Sequence, residues 1–169
     1  MDLVSHALWG ATIIRKKQMV WWAVFFGALP DLLGSTSGFF HLLFAQGILW
    51  GTDTWQFMPQ WTRDAYHLSH SLLGLGIVAV ALAAVGKRWL ILALPYTAHL
   101  ALDLITHVTD PLARLFFPFV PWDATRVIGA NWWESWWIMG ANALMLIVVN
   151  LLLWHRRRFH RETALASTG

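Results

Sequence analysis

The stretch His99-Leu-Ala-Leu-Asp103-Leu-Ile-Thr-His107-Val-Thr-Asp110 decides how this chain is organised, and it closes a largely apolar run that follows Arg88. Positions 99, 103 and 107 are four residues apart, so on a helix their side chains form one stripe. Two imidazoles and a carboxylate on one helix face are typical metal ligands, and ionisable groups inside an apolar helix indicate function. The stretch therefore predicts a metal-binding helix. The alternative is three polar residues that satisfy one another inside a bundle.

The composition indicates a membrane protein. Of 169 residues, 57% are hydrophobic and 12% are charged, against roughly 25% charged in soluble domains. Thirteen tryptophans are typical of membrane interfaces. Lysine and arginine are few and lie in short clusters, which argues against a nucleic-acid surface. The length allows one domain, so we predict a single all-α, polytopic membrane bundle over residues 1–169.

About five helices are expected along the chain. The first is short or half-spanning, because about 20 residues are needed to cross a bilayer. We expect Pro30 to end the second helix before a loop at 34–38, and Pro95 to kink the fourth. The predicted helices are 3–14, 18–33, 67–86, 89–108 and 131–154. Residues 39–50 are expected as a short interfacial helix, and 51–66 and 109–130 as loops.

Three basic clusters, at 15–17, 87–88 and 156–161, follow the first, third and fifth helices. Alternating helices put all three on one side, which the positive-inside rule makes cytoplasmic, together with the basic tail 155–169. The opposite helix ends then face outward and form one layer. The histidines and aspartates predicted as metal ligands in that layer are His6, Asp31, His67, His70, His99, Asp103 and His107.

Other polar residues receive narrower roles. Asp31 or Asp110 could act as the general base of a hydrolysis. Arg63, Arg114 and Arg126, in or near the outer connections, could hold a substrate phosphate. Asn142 and Asn150 of the last helix are predicted to make interhelical hydrogen bonds.

The motifs resemble those of one known family. They are Ser5-His6, Leu29-Pro30-Asp31, Ser69-His70-Ser71-Leu72-Leu73 and His99-xxx-Asp103-xxx-His107-xx-Asp110-Pro111-Leu112. In this order, over roughly residues 1–118, they are similar to the YdjM-like family of integral inner-membrane metal-dependent hydrolases. The resemblance implies a bacterial or archaeal inner-membrane protein with a His/Asp metal site. The chain departs from the family pattern at Leu33 and Ala65, where many members carry Asp and His.

A site of nitrogen and oxygen donors without cysteine suits Zn²⁺, with Mn²⁺ or Fe²⁺ as alternatives, and one or two ions could bind. At the outer interface such a site would meet lipid headgroups. The sequence therefore predicts metal-dependent hydrolysis of an ester or phosphoester bond in a phospholipid or another lipid-linked substrate. The alternatives are a divalent-cation or proton transporter or channel, and a non-catalytic scaffold in which metal staples the helices together.

Overall fold

The computed structural model describes residues 1–46, 57–106, 114–119 and 135–166, and every regular element in these ranges is helical. The elements are α1 (Leu3–Ile13), α2 (Val20–Asp31), α3 (Ser37–His41), α4 (Gln60–Ser69), α5 (Leu72–Val85), α6 (Ala93–Thr106) and α7 (Trp136–Ala166). Two π-helical segments, Leu32–Thr36 and Leu42–Gln46, flank α3, and a 3₁₀ segment, Lys87–Leu92, precedes α6.

Helices α1, α2 and α6 pack against one another and form the centre of the bundle. Asp2 caps α1 by accepting a hydrogen bond from the Ser5 backbone N–H at 2.8 Å. Glycines let α1 and α2 approach closely: a Cβ on Gly10 would lie 2.2 Å from the Ala23 carbonyl oxygen. One on Gly27 would lie 2.6 Å from the His6 carbonyl oxygen. The close contact holds the start of α1 beside the end of α2.

The predicted loop at 34–38 is wrong, because the chain stays helical from Val20 to Phe44. Pro30 lies inside α2, and after Asp31 the chain passes into a π-helical segment and not into a loop. The π-helical turns that follow keep the backbone helical beyond the proline. Gly34 serves packing there, since a Cβ on it would lie 2.6 Å from the Tyr66 Cα.

The predicted single helix at 67–86 is also wrong. Residues 60–69 belong to α4, and α4 and α5 meet at 68° around His70 and Ser71. Ser71 has an extended backbone, and its hydroxyl accepts the Gly74 N–H, so it starts α5 as an N-cap. The break places His70 at a corner between two helices.

The remaining helices differ from the prediction mainly in their bounds. The expected kink at Pro95 is replaced by a change from 3₁₀ to α-helix at Ala93, which leaves Pro95 in the first turn of α6, where proline is tolerated. Gly86 joins α5 to this segment with φ at +149°, a conformation that favours glycine. Helix α7 continues through 155–166, inside the segment predicted as a tail.

Two ends of the bundle differ in chemistry. Ile14, Ala23, Leu82 and Leu92 form a buried apolar cluster next to the basic segments 15–17 and 87–88. Arg15 donates to Asn150 of α7, and partial burial and the charge of Arg157 lower the pKa of the Arg15 guanidinium. The basic segments therefore gather at one end. The predicted metal ligands that the structure describes lie at the other.

Three helical stretches are long and apolar enough to cross a membrane: Val20–Phe44, Lys87–Thr106 and Trp136–Phe159. The bent pair α4 and α5 makes a fourth if it counts as one span. Helix α1 is apolar but has only 11 residues.

Candidate metal centre

Five side chains from four parts of the chain meet in one buried cluster, which we call the His/Asp cluster. None of the five residues is more than 9% exposed. They are His6 of α1, Asp31 at the end of α2, His70 at the α4–α5 corner, and His99 and Asp103 of α6. The structure thus brings together five of the seven residues predicted as metal ligands.

Backbone carbonyls fix the orientation of two of the three imidazoles. Nδ1 of His99 lies 2.7 Å from the Gly27 carbonyl oxygen, and Nδ1 of His70 lies 2.9 Å from the Tyr66 carbonyl oxygen. A carbonyl only accepts hydrogen bonds, so each Nδ1 carries the hydrogen. In the neutral ring Nε2 then keeps its lone pair, which is the arrangement found around metal-ligating histidines.

The two Nε2 atoms of His70 and His99 face each other at 3.2 Å. Nε2 of His99 also lies 3.2 Å from Oδ2 of Asp103. With both rings neutral, the lone pairs of these two Nε2 atoms and of the Asp103 carboxylate face one another. A cation bound among them would offset this contact between acceptors.

The spacing of these atoms fits one small divalent ion. Ligand distances of about 2.0–2.2 Å in a tetrahedron correspond to ligand–ligand separations of roughly 3.3–3.6 Å. Nε2 of His70 lies 3.4 Å from Oδ2 of Asp103 and 3.5 Å from Oδ1 of Asp31. Nε2 of His99 lies 3.9 Å from the same Asp31 oxygen. His70, His99 and Asp103 could therefore hold a metal ion, with the Asp31 carboxylate beside them.

His6 completes the cluster from the side of α1. Its ring stacks on His99 with centroids 3.6 Å apart, and its Nε2 lies 3.0 Å from Oδ1 of Asp103. His6, Asp31 and His99 form a second group that could hold an ion. Both groups use His99, whose single free Nε2 binds one ion at a time. The described residues therefore favour one ion over two.

The amino group of Met1 also reaches the cluster, and the sequence carried no signal for this contact. It donates to Oδ1 of Asp103 at 2.6 Å and to the Thr106 hydroxyl at 2.9 Å. Burial lowers the pKa of this amino group, while the Asp103 carboxylate opposes that shift.

Tyr66 and Arg114 lie beside the cluster. The Tyr66 ring stacks on His70 with centroids 4.1 Å apart, and Arg114 donates to the Tyr66 hydroxyl. Arg114, His70 and Asp103 line a small cavity of about 10 Å³, which is room for roughly one water molecule. Arg114, predicted as a phosphate ligand, is thus buried next to the candidate metal centre. Tyr66 was not singled out from the sequence.

His67 and Arg63, two further predicted site residues, lie outside the His/Asp cluster. His67 is buried, with its ring 5.7 Å from that of Phe117, and it belongs to neither metal-holding group. Arg63 donates to Gln60 on α4 at 2.9 Å. His107, Asp110 and Arg126 are outside the described residues, so their roles stay predictions.

The comparisons with known proteins add no relative. No protein-family model, no curated protein and no solved structure matches the chain. The resemblance to the YdjM-like family therefore stays a prediction based on the motifs.

Proposed function

We propose that the protein is a membrane-embedded, metal-dependent hydrolase that cleaves an ester or phosphoester bond of a phospholipid or another lipid-linked substrate. The observation that carries the proposal is the pair of Nε2 atoms of His70 and His99 facing each other at 3.2 Å, with the carboxylates of Asp31 and Asp103 around them. An N/O donor set without cysteine favours Zn²⁺, with Mn²⁺ or Fe²⁺ as alternatives. The resemblance to YdjM-like hydrolases points the same way.

The residues around the cluster suit the parts of a hydrolysis. A bound Zn²⁺ would lower the pKa of water to about 7 and so supply hydroxide at neutral pH. Asp31 turns Oδ1 toward the imidazoles, while its buried Oδ2 has no hydrogen-bond partner among the described residues. That oxygen could accept a proton from the attacking water. Arg114 could bind the phosphate oxygens with its guanidinium.

The difference between the two ends of the bundle supports a position of the His/Asp cluster at the outer membrane surface. The three to four apolar stretches are long enough to span a bilayer. The basic segments near Arg15 lie at the end opposite the His/Asp cluster, so the positive-inside rule would put them in the cytoplasm. The cluster would then face the periplasm or cell exterior, at the level of lipid headgroups of the inner membrane.

One observation favours a second candidate, a non-catalytic scaffold in which metal joins α1, α2, the α4–α5 corner and α6. The cavity beside the cluster has a volume of only about 10 Å³, whereas sites for drug-sized ligands span roughly 300–1,000 Å³. A structural metal needs no open position, while a catalytic metal keeps one for water or substrate.

Purified protein in detergent separates the two candidates. We expect one bound divalent ion per chain by elemental analysis. We also expect release of product from phospholipid or lipid phosphate that stops with a chelator and returns with Zn²⁺. Arg114→Gln should keep the metal and lower turnover, while Arg88→Gln, at the other end, should change neither. Stoichiometric metal without turnover of any ester or phosphoester lipid would favour the scaffold.

A further inference from the structure

A second cavity lies between α1 and α7 and has a volume of about 400 Å³, within the range of ligand sites in proteins. Most of its lining is apolar, with Leu8 on the α1 side and Ile138, Ala143, Leu146 and Ile147 on the α7 side. From Ile138 to Ile147 a helix rises by roughly 13 Å. The cavity is therefore a long apolar cleft that follows the two helices.

One end of this cleft adjoins the His/Asp cluster. Met1, Asp2 and Ser5 line it, and the Met1 amino group donates to Asp103. Ser5 accepts a hydrogen bond from the Asn142 side chain at 2.8 Å, which joins the two walls near this end. The cleft is thus polar beside the candidate metal centre and apolar away from it.

The rest of α7 indicates what surrounds the cleft. The apolar window of Trp136–Phe159 has a mean hydropathy of 1.9, and only 6% of it is buried inside the protein. If this helix spans the bilayer, acyl chains surround it, and the open side of the cleft faces them. A lipid could then enter from the side and keep its headgroup at the outer interface.

We propose that the cleft between α1 and α7 binds one acyl chain of the lipid substrate, with the scissile end of that lipid at the His/Asp cluster. The polar end matches a headgroup and the apolar walls match a hydrocarbon chain. The proposal rests on the proposed hydrolase function for the position of the scissile bond. The chain-binding cleft itself can be tested without turnover.

The first experiment is photolabelling in vesicles with a phosphatidylcholine that carries a diazirine in the middle of one acyl chain. Cross-linked peptides should show labels at Leu8 and Leu146 in excess over Leu144 and Leu152, which are exposed on α7 and outside the cleft. Equal labelling of all four residues would overturn the proposal.

Substitutions that fill the cleft give a matched test. Ala143→Phe narrows it from α7 and Leu8→Trp narrows it from α1, while Ala141→Phe and Val4→Trp introduce the same two aromatic side chains outside its lining. Because even one methylene in an apolar pocket changes discrimination by roughly tenfold or more, cleft labelling should fall about tenfold in the two cleft variants and stay unchanged in the controls. Bound metal should be the same in all four variants, which shows that each has folded.

Turnover separates failure of this inference from failure of the proposed function. If the protein hydrolyses long-chain and short-chain forms of one phosphoester, Ala143→Phe should raise the KM of the long-chain form alone. An equal effect on the KM of both forms, or no effect, would contradict the acyl-chain cleft without contradicting the hydrolase function. Labelling of the cleft without hydrolysis of any lipid would support the chain-binding cleft and contradict the hydrolase function.

Discussion

Two regions of this apolar protein place their polar groups differently. One is the end of the bundle with the His/Asp cluster, and the other is helix α7. At the cluster, five ionisable side chains are buried together, and backbone carbonyls orient the imidazoles of His70 and His99. Helix α7 packs mainly against α1. Two asparagines of α7, Asn142 and Asn150, make its described hydrogen bonds to α1 and to Arg15, which follows α1. The first arrangement is a candidate site for a cation, whereas the second consists of hydrogen bonds that the asparagine amides make.

Removing Asp103 should cause the largest loss of bound metal. Asp103 contacts His6, His70 and His99, so Asp103→Ala takes a carboxylate from the centre of the cluster. Bound metal should fall at least about tenfold, as it does when even indirect partners of a metal are lost. Elemental analysis of the purified protein measures this.

His99→Ala should lose metal to the same extent. The controls are Asp64→Ala, on the exposed face of α4, and His155→Ala, on the exposed surface of α7. Unchanged metal content in both cluster variants would count against a metal centre.

Gly27→Ala should have the next largest effect, on both the free energy of unfolding and metal affinity. The new Cβ would lie 2.6 Å from the His6 carbonyl oxygen and would separate α1 from α2. Overpacking of this kind costs about 1–3 kcal/mol in the free energy of unfolding, and metal affinity should fall because His6 moves. Gly140→Ala on α7 is the control, since its Cβ meets nothing within 4 Å. Thermal unfolding in detergent compares them, and equal effects would contradict the close packing.

Tyr96→Phe tests whether the Tyr96 hydroxyl stabilises the α4–α5 corner that positions His70. The Tyr96 hydroxyl is buried and donates to the Ser69 carbonyl oxygen, directly before the α4–α5 corner. Without it the carbonyl loses a partner, at a cost of about 1–2 kcal/mol in the free energy of unfolding. Metal binding should weaken by less than in Asp103→Ala. Tyr96→Phe with wild-type stability would mean that the hydrogen bond does not hold the corner.

Asn150→Leu should have the smallest effect. It removes bonds to Arg15 and Thr12, and interhelical bonds of this kind contribute about 0.6 kcal/mol on average in membranes. The midpoint of thermal unfolding should fall slightly, and metal content should not change. Loss of metal in this variant would show that α7 and the cluster are coupled, which would remove the distinction between the two regions.

Local patterns in the sequence predicted the parts of this molecule that depend on spacing and composition. The helical character, the apolar stretches, the His99–Asp103 pair on one face of α6 and the bonds of Asn142 and Asn150 follow from residue type and helical period. The basic segments and the ligands were expected at opposite ends of the helices, and the structure has them so.

Tertiary structure alone decided how the side chains of the His/Asp cluster are oriented. Pro30 and Gly34 indicate a break in sequence, yet π-helical turns and contact with Tyr66 keep that helix continuous. The corner that turns His70 inward depends on the Ser71 cap and the Tyr96 hydroxyl, and the orientation of His99 depends on a carbonyl 72 residues away in the chain. These contacts join distant residues, so no local pattern encodes them, although the residue types that they bring together are already in the sequence.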